Sequence, residues 1–467
     1  MALKSDRLSK EATPVNKSIE PAAPESSRLD PSDLGHVVET TLAEATRRGA
    51  SGAEAAAALS QGLSVNVRMG ELETVEHTRD RSLIITVYFE QRTGSASTSD
   101  YSPASVKDTV QAACRIAEYT EADPCNGLAD PDRLAMDFPN LDLFHPWNPS
   151  VDDARDMALE CEQTAIDHDR RIENSEGASV SSHEGHEVYA TTGGFWGEIR
   201  KTRHGLSCSV IGRDDIGMQR DYWFSSSRQA AQLDKPDVVG LEAARRTVRR
   251  LDARKIDTCQ VPVIFEAPVA SSLISHFVGA ISGGALYRKA SFLLDQVGQR
   301  VFPDFVQIYE QPLLKCAMGS AAYDSEGVTT SADNVVTNGV LQRYLLGSYS
   351  ARRLGLETTG NAGGIHNLTA ESGDQDLANL IGGLEKGLLV TELIGFGVNM
   401  VTGDYSRGAA GFWIENGQIQ YPVEEETVAG NLKEIFSGLC AIGKDVDTRR
   451  NIRCGSILID GLTVAGD

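Results

Sequence analysis

Phe412-Trp413-Ile414-Glu415-Asn416-Gly417-Gln418-Ile419 is the stretch whose reading decides the fold class. An apolar run enters an Asn-Gly pair and leaves it toward Ile419. Asn-Gly supplies the two φ > 0 residues of a type I′ turn, so the segment reads as two antiparallel strands joined by a tight hairpin. Val335-Val336-Thr337-Asn338-Gly339-Val340-Leu341 repeats the device. Working outward, Val261–Phe265 reads as a strand, and a helix opens at Pro268, a residue suited to the first helical turn. Val269, Leu273, Phe277 and Ile281 form its apolar stripe, widened by Ile274 and Val278. Ser456–Ile459 reads as a closing strand.

The first half carries the same β character between helices. Leu34 to Arg48 has helical spacing in Val37, Val38, Leu42 and Ala45 and stops at Gly49. Glu54–Ser60, Leu63–Arg68, Leu72–His77, Leu83–Phe89 and Ser95–Ser99 read as short strands broken at Gly62, Met69-Gly70, Arg79-Asp80-Arg81 and Thr93-Gly94. Ser102-Pro103 opens a helix to about Tyr119. Asp123 to Pro149 is a Pro-, Asp- and Asn-rich wrapping loop, and a helix runs from Val151 to about Asp167. Arg171 to Ser227 returns to strands. Lys235 to Leu251 reads as a helix with Val238, Leu241, Ala244 and Val248 inward and an Arg-rich outer face. The expected fold is α+β in two domains, residues 32–254 and 255–467, each mostly antiparallel with packed helices, the second barrel-like. Residues 1–31, rich in Ser, Pro, Ala and charge, read as a disordered tail without a signal peptide.

Composition narrows the function. Across 467 residues, 44 Lys and Arg face 66 Asp and Glu, a net charge of −22. That argues against binding nucleic acid, whose affinity comes from clustered Lys and Arg, and against an anionic membrane surface. The uncharged run Ala267 to Tyr287 has the length of a membrane span, yet its serines, His276 and Gly283-Gly284 mark a buried globular helix. Eight scattered cysteines form no C-x-x-C pair and fit a reducing cytoplasm. No P-loop, dinucleotide fingerprint, nucleophile elbow or H-E-x-x-H is present.

Four places hold residues with chemistry. His183-Glu184-Gly185-His186-Glu187 reads as a strand, where residues three apart point to opposite faces, so a solvated β-edge is expected there rather than a metal. In Gly403-Asp404-Tyr405-Ser406-Arg407-Gly408-Ala409-Ala410-Gly411, Arg407 has the fork to clamp a carboxylate; an Asp404–Arg407 pair holding a tight loop is the structural alternative. His366 lies in the Gly-rich loop Gly360 to Asn367. Cys454 stands in Arg453-Cys454-Gly455-Ser456.

Taken together, Gly360-Asn361-Ala362, the Gly403 to Trp413 segment, Ala429-Gly430-Asn431-Leu432, Gly94 to Asp100 and Gln219-Arg220-Asp221-Tyr222-Trp223 resemble the TldD/PmbA metalloprotease family, from about residue 32 onward. The resemblance implies two branches. TldD proteins carry a zinc helix with H-E-x-x-x-H and a cysteine near the C-terminus; PmbA proteins, also called TldE, lack that motif and form a heterodimer with them. The pair is expected to cut small or unfolded peptides, including microcin precursors and antitoxin-type proteins. An older description of PmbA as a gyrase modulator draws no support from the acidic charge.

At the motif's place this chain has Ser275 for the first His, His276 for the Glu and Ala280 for the second His. Zinc hydrolysis needs ligands for the metal and a carboxylate for its bound water. Cys454 stands where the metal cysteine is expected, and one thiol with one His does not close a tetrahedral site. The resemblance is therefore to the PmbA branch: no catalytic residue, no metal or cofactor in this chain, zinc in a TldD-type partner, and cytoplasmic action. Asp404, Arg407, His366 and Cys454 are candidate peptide or partner contacts. Two alternatives stay open: a stand-alone homodimeric peptide-binding or regulatory protein, and an enzyme with a rebuilt metal site using His183, His186, His366 or Cys454.

Overall fold

The computed structural model describes residues 31–466; the tail expectation for residues 1–30 lies outside them. Two helices frame the start of the first half, α1 (Pro31–Arg47) and α2 (Pro103–Tyr119), and two its end, α3 (Val151–His168) and α4 (Pro236–Val248). Between them run β1 (Gly52–Arg68), β2 (Glu71–Phe89), β3 (Arg92–Thr98), β4 (Ile172–Thr191), β5 (Trp196–Arg213) and β6 (Met218–Ser227). They form one antiparallel sheet in the order β3-β2-β1-β4-β5-β6. Ser102 caps α2, and Ser150 with Asp153 makes a capping box on α3, so local chemistry sets both helix starts.

The breaks expected at Gly62 and at Arg79-Asp80-Arg81 do not occur. Gly62 pairs with Thr78, and Gln61 with Arg79, inside continuous strands. Residues 71–82 of β2 are exposed throughout, and the polar run Thr78 to Ser82 carries no apolar alternation to mark the strand as continuing past His77. At about 3.3 Å per residue, β1 spans on the order of 55 Å, too far for one helix pair to cover. Ala53, Ala55, Ala57 and Leu59 of β1 pack under α1 and α2, while Val65 and Val67 of the same face pack under α3 and α4. The α4 face also differs from expectation. Val239, Ala243 and Ala244 point inward, Val238 is exposed, and Arg246 and Arg250 are buried. Acidic partners around them, described below, make that burial tolerable.

The second half begins with β7 (Cys259–Phe265) and α5 (Ala267–Ala280). A small sheet follows, from β8 (Ile308–Glu310), β9 (Asp333–Thr337), β10 (Val340–Leu341), β11 (Leu368–Ala370) and, later in the chain, β16 (Ile452–Arg453), in the order β10-β9-β8-β11-β16. The remaining strands are β12 (Lys386–Ile394), β13 (Asp404–Glu415), β14 (Gln418–Asn431), β15 (Leu439–Ile442) and β17 (Ile457–Gly466). β7, β12, β13, β14 and β17 pair in sequence, and β14 pairs back to β17, which closes a five-stranded barrel. Both expected hairpins are present: Asn338 and Gly339 sit at φ 49° and 74°, Asn416 and Gly417 at 51° and 74°. Closure brings backbones together at Gly411, where a Cβ would lie 1.8 Å from the Leu389 carbonyl oxygen. Phe277 of α5 packs on Phe302 and Phe436 in the core that also takes Val261, Val263 and Phe265 of β7. α5 is followed by a short helix, Gly283–Tyr287, and no helix among the described residues is long and apolar enough to cross a membrane. The fold is thus α+β, mostly antiparallel, with a barrel in the C-terminal region.

Candidate functional site

The helix that follows β7 is amphipathic in a particular way. Leu273, Ile274, Phe277 and Ala280 are buried in the core. Ser272, Ser275 and His276 line a cavity of about 670 Å³ between the two halves, together with Arg407 of β13, Thr391 and Glu392 of β12, Arg220 to Phe224 of β6, Arg246 of α4 and Arg450 to Ile452. The three motif positions therefore part company. Ser275 and His276 reach the cavity, while Ala280 is fully buried against the barrel. They offer one imidazole and no carboxylate, so the residues present do not fit a catalytic zinc.

Four arginines line the cavity, Arg220, Arg246, Arg407 and Arg450, and the first two are matched, as is Arg250 behind them. Arg246 bonds Glu266 at 2.9 Å and lies 3.4 Å from Asp221. Arg250 bonds Glu392 at 2.5 Å, and Arg220 reaches Glu176 at 3.2 Å and Glu392 at 3.6 Å. Arg407 and Arg450 make no ion pair among the described residues. Among the described residues, four polar atoms on this wall are buried without a hydrogen-bond partner: the donors Ser272 Oγ, His276 Nε2 and Arg407 Nε, and the acceptor Asp221 Oδ2. The Tyr405 hydroxyl, beside them, is a fifth, and its ring meets His276 edge-on with centroids 6.0 Å apart. Burial lowers the His276 pKa, and the Arg407 charge lowers it further, so the imidazole is neutral at pH 7. Burial pushes the Tyr405 hydroxyl up to about 12.

The expected Asp404–Arg407 pair does not form, because residues 404–415 are a strand rather than a loop. Three residues apart on a strand, the two side chains point to opposite faces. Asp404 accepts from the Thr402 hydroxyl at 2.5 Å and from Asn431 at 3.2 Å. His366 lies elsewhere, in a buried knot where its backbone N–H donates to Glu310 at 2.7 Å and its ring Nε2 meets the Gly360 carbonyl at 3.1 Å. Glu310 also holds Arg343 and Asn361. Cys454 is buried and does not line the cavity; burial first, then Asp447 and Asp445, push its thiol up to about 12.

His183 and His186 are on opposite faces of β4, as their spacing requires, but β4 lies between β1 and β5 and is no edge. His186 is buried against Glu198 at 2.8 Å, and His183 lines a second cavity of about 830 Å³. Asp142, His145 and Cys316 are the metal-capable donors that converge among the described residues, with atoms within 4.8 Å of one another. Each has a protein partner: Cys316 Sγ is 3.1 Å from the Asp142 carboxylate, His145 Nε2 3.2 Å from it, and Gln229 donates to Cys316 at 3.3 Å. Burial and the Asp142 contact raise the Cys316 pKa, so the trio is a hydrogen-bonded latch from the wrapping loop to the second half.

The sequence reading missed Ser272, Tyr405 and Arg450. The signal for two of them was available: Ser272 and His276 are one helical turn apart, and Tyr405 and Arg407 two apart on a strand.

Comparison with known proteins agrees with this architecture. The PmbA/TldA metallopeptidase family matches in three parts: domain 1 at residues 53–117, the central domain at 144–251 and the C-terminal domain at 258–466. Metalloprotease PmbA of Escherichia coli O157:H7 is 47% identical over 433 residues, covering 93% of this chain and 96% of that one. The Haemophilus influenzae metalloprotease PmbA homolog is 47% identical over 442 residues, again covering 93% and 96%. Among solved structures, a candidate modulator of DNA gyrase from Bacteroides thetaiotaomicron superposes with TM-score 0.88 at 29% identity, over 93% of this chain and 99% of that one. TldE from Thermococcus kodakarensis shares the fold, with TM-score 0.81 at 21% identity over 92% and 100%. The chain belongs to the PmbA/TldD metallopeptidase family and stands within it among the PmbA proteins.

Proposed function

We propose that this chain is the PmbA-type, or TldE, subunit of a TldD–TldE heterodimeric metalloprotease acting on small or unfolded peptides, of the microcin-precursor and antitoxin kind. In this reading the TldD-type partner holds the zinc, this chain holds no metal and is not catalytic alone, and the pair works in the cytoplasm. The observation that carries the reading is Ser275, His276 and Ala280 at the zinc-helix positions, with Ala280 turned into the core. Cys454 supports it by position, since it is buried and does not line the cavity that Ser275 and His276 reach. The contribution of this chain is then a wall of the peptide chamber. Its own groups bind and orient: unpaired donors at Ser272, His276 and Arg407 face a cavity wide enough for a peptide end.

The test is co-expression with a TldD-type chain, followed by light scattering and peptidase assays on the pair and on each chain alone. A one-to-one complex with activity confined to the complex is expected. A chain that remains a homodimer in the partner's presence would contradict the proposal.

A further inference from the structure

We infer that the cavity beside α5 is a carboxylate-binding site that takes the charged group of a peptide. The inference rests on the peptide-handling role proposed above and names what is recognised. Ser272 Oγ, His276 Nε2 and Arg407 Nε are all buried, all able to donate, and none has an acceptor among the described residues. Leaving a buried donor unmatched carries the full desolvation penalty, so three on one wall point to an acceptor that belongs there. The wall's carboxylates do not fill that role. Glu392 is engaged by Arg250 and Arg220, and Asp221, though its Oδ2 has no hydrogen-bond partner among the described residues, is held between Arg246 at 3.4 Å and Arg250 at 3.7 Å. In a chain of net charge −22, Arg407 is held partly buried with no counter-ion among the described residues. A guanidinium paired with a hydroxyl and a neutral imidazole suits a planar, two-oxygen anion. The neutral state of His276 fits as well: it adds a hydrogen bond without a second charge to desolvate.

Two sources supply that chemistry, the C-terminal carboxylate of a peptide and an acidic side chain. Isothermal titration calorimetry on the isolated full chain at neutral pH separates them with three probes: N-acetyl-trialanine as free acid, the same peptide as amide, and N-acetyl-Ala-Glu-Ala amide. The free acid is expected to bind at least about tenfold tighter than the plain amide, the loss of one charge-assisted contact. Arg407→Gln is expected to remove that preference, and Ser272→Ala to reduce it. If the Glu-containing amide matches the acid, the site takes either carboxylate and stands; if it matches the plain amide, the site is specific to the C-terminal carboxylate. Equal binding of acid and plain amide, no binding of either carboxylate peptide at millimolar concentration, or an undiminished preference in Arg407→Gln would overturn the site. Should Arg407→Gln misfold, the acid-to-amide ratio of the native chain and Ser272→Ala decide alone. No partner is needed in this experiment. Acid preference without assembly would therefore sink the heterodimer and keep the site, and assembly without preference would do the reverse.

Discussion

His276 and His366 show how burial, rather than residue type, sets what a side chain does here. Both have pKa values lowered chiefly by burial, as does His204. The sign follows from linkage. Below the ordinary histidine pKa of 6.5 the unfolded chain takes up protons that the folded chain refuses, so stability is lost as pH falls through and below that value. Asp324 works the other way: burial pushes its carboxyl up to about 6, and the folded state gains as pH drops through that range. The expected result in thermal melts between pH 7 and pH 5 is a smaller loss of Tm for His366→Gln than for the native chain, Asp324 being common to both. Equal losses would show that His366 titrates as it does unfolded. At the same scale, Cys454 and the exposed Cys440 should differ in alkylation, with Cys440 modified in the folded protein and Cys454 only after denaturation. Digestion and mass spectrometry read this directly.

The elements divide into those that local chemistry dictates and those that only packing reveals. The two Asn-Gly hairpins were legible because the turn needs φ > 0 twice, and few other dipeptides supply it. Their glycines are tightly placed. A Cβ at Gly339 would meet the Phe302 carbonyl oxygen at 2.1 Å, and one at Gly417 the Gly382 carbonyl oxygen at 2.8 Å. Gly339→Val is expected to lower stability by about 3 kcal/mol or more and Gly417→Val by about 1–3 kcal/mol, the first adding a backbone clash to strained φ. Urea titration measures both, and unchanged midpoints would contradict the assignment. The helix starts at Ser102-Pro103, Val151 and Pro268 were equally legible. What was not legible was strand length. β1 and β2 run through Gly62 and Arg79-Asp80-Arg81 because each is paired along its length, a long-range fact without local signature. The buried Arg246 and Arg250 were misread for the same reason: Asp221, Glu266 and Glu392, which make their burial tolerable, are distant in sequence. At the site, the motif positions and Arg407 were visible in the sequence. The absence of an Asp404 partner was not, since it depends on residues 404–415 being strand.

For the whole molecule, the halves are clasped by arginines that reach into backbone. Buried Arg228 donates to the carbonyls of Ala317, Thr202 and Met318, and Arg352 reaches back to those of Cys125, Gly127 and Leu128 in the wrapping loop. Arg228→Ala strips donors from three carbonyls and is expected to cost about 3 kcal/mol or more, with a lower Tm in scanning calorimetry; a change under about 0.5 kcal/mol would make the clasp dispensable. These clasps hold the cavity wall, since Arg220 to Phe224 and Arg246 come from one half and α5 and Arg407 from the other. The central claim is that this chain shapes a peptide chamber and a TldD-type partner supplies the zinc, ligands and base. Its most direct test mixes the chain with native partner and with a partner whose motif Glu is replaced by Gln, and measures peptide cleavage in each. The account predicts cleavage in the first mixture alone; cleavage in the second, or by this chain without partner, would contradict it.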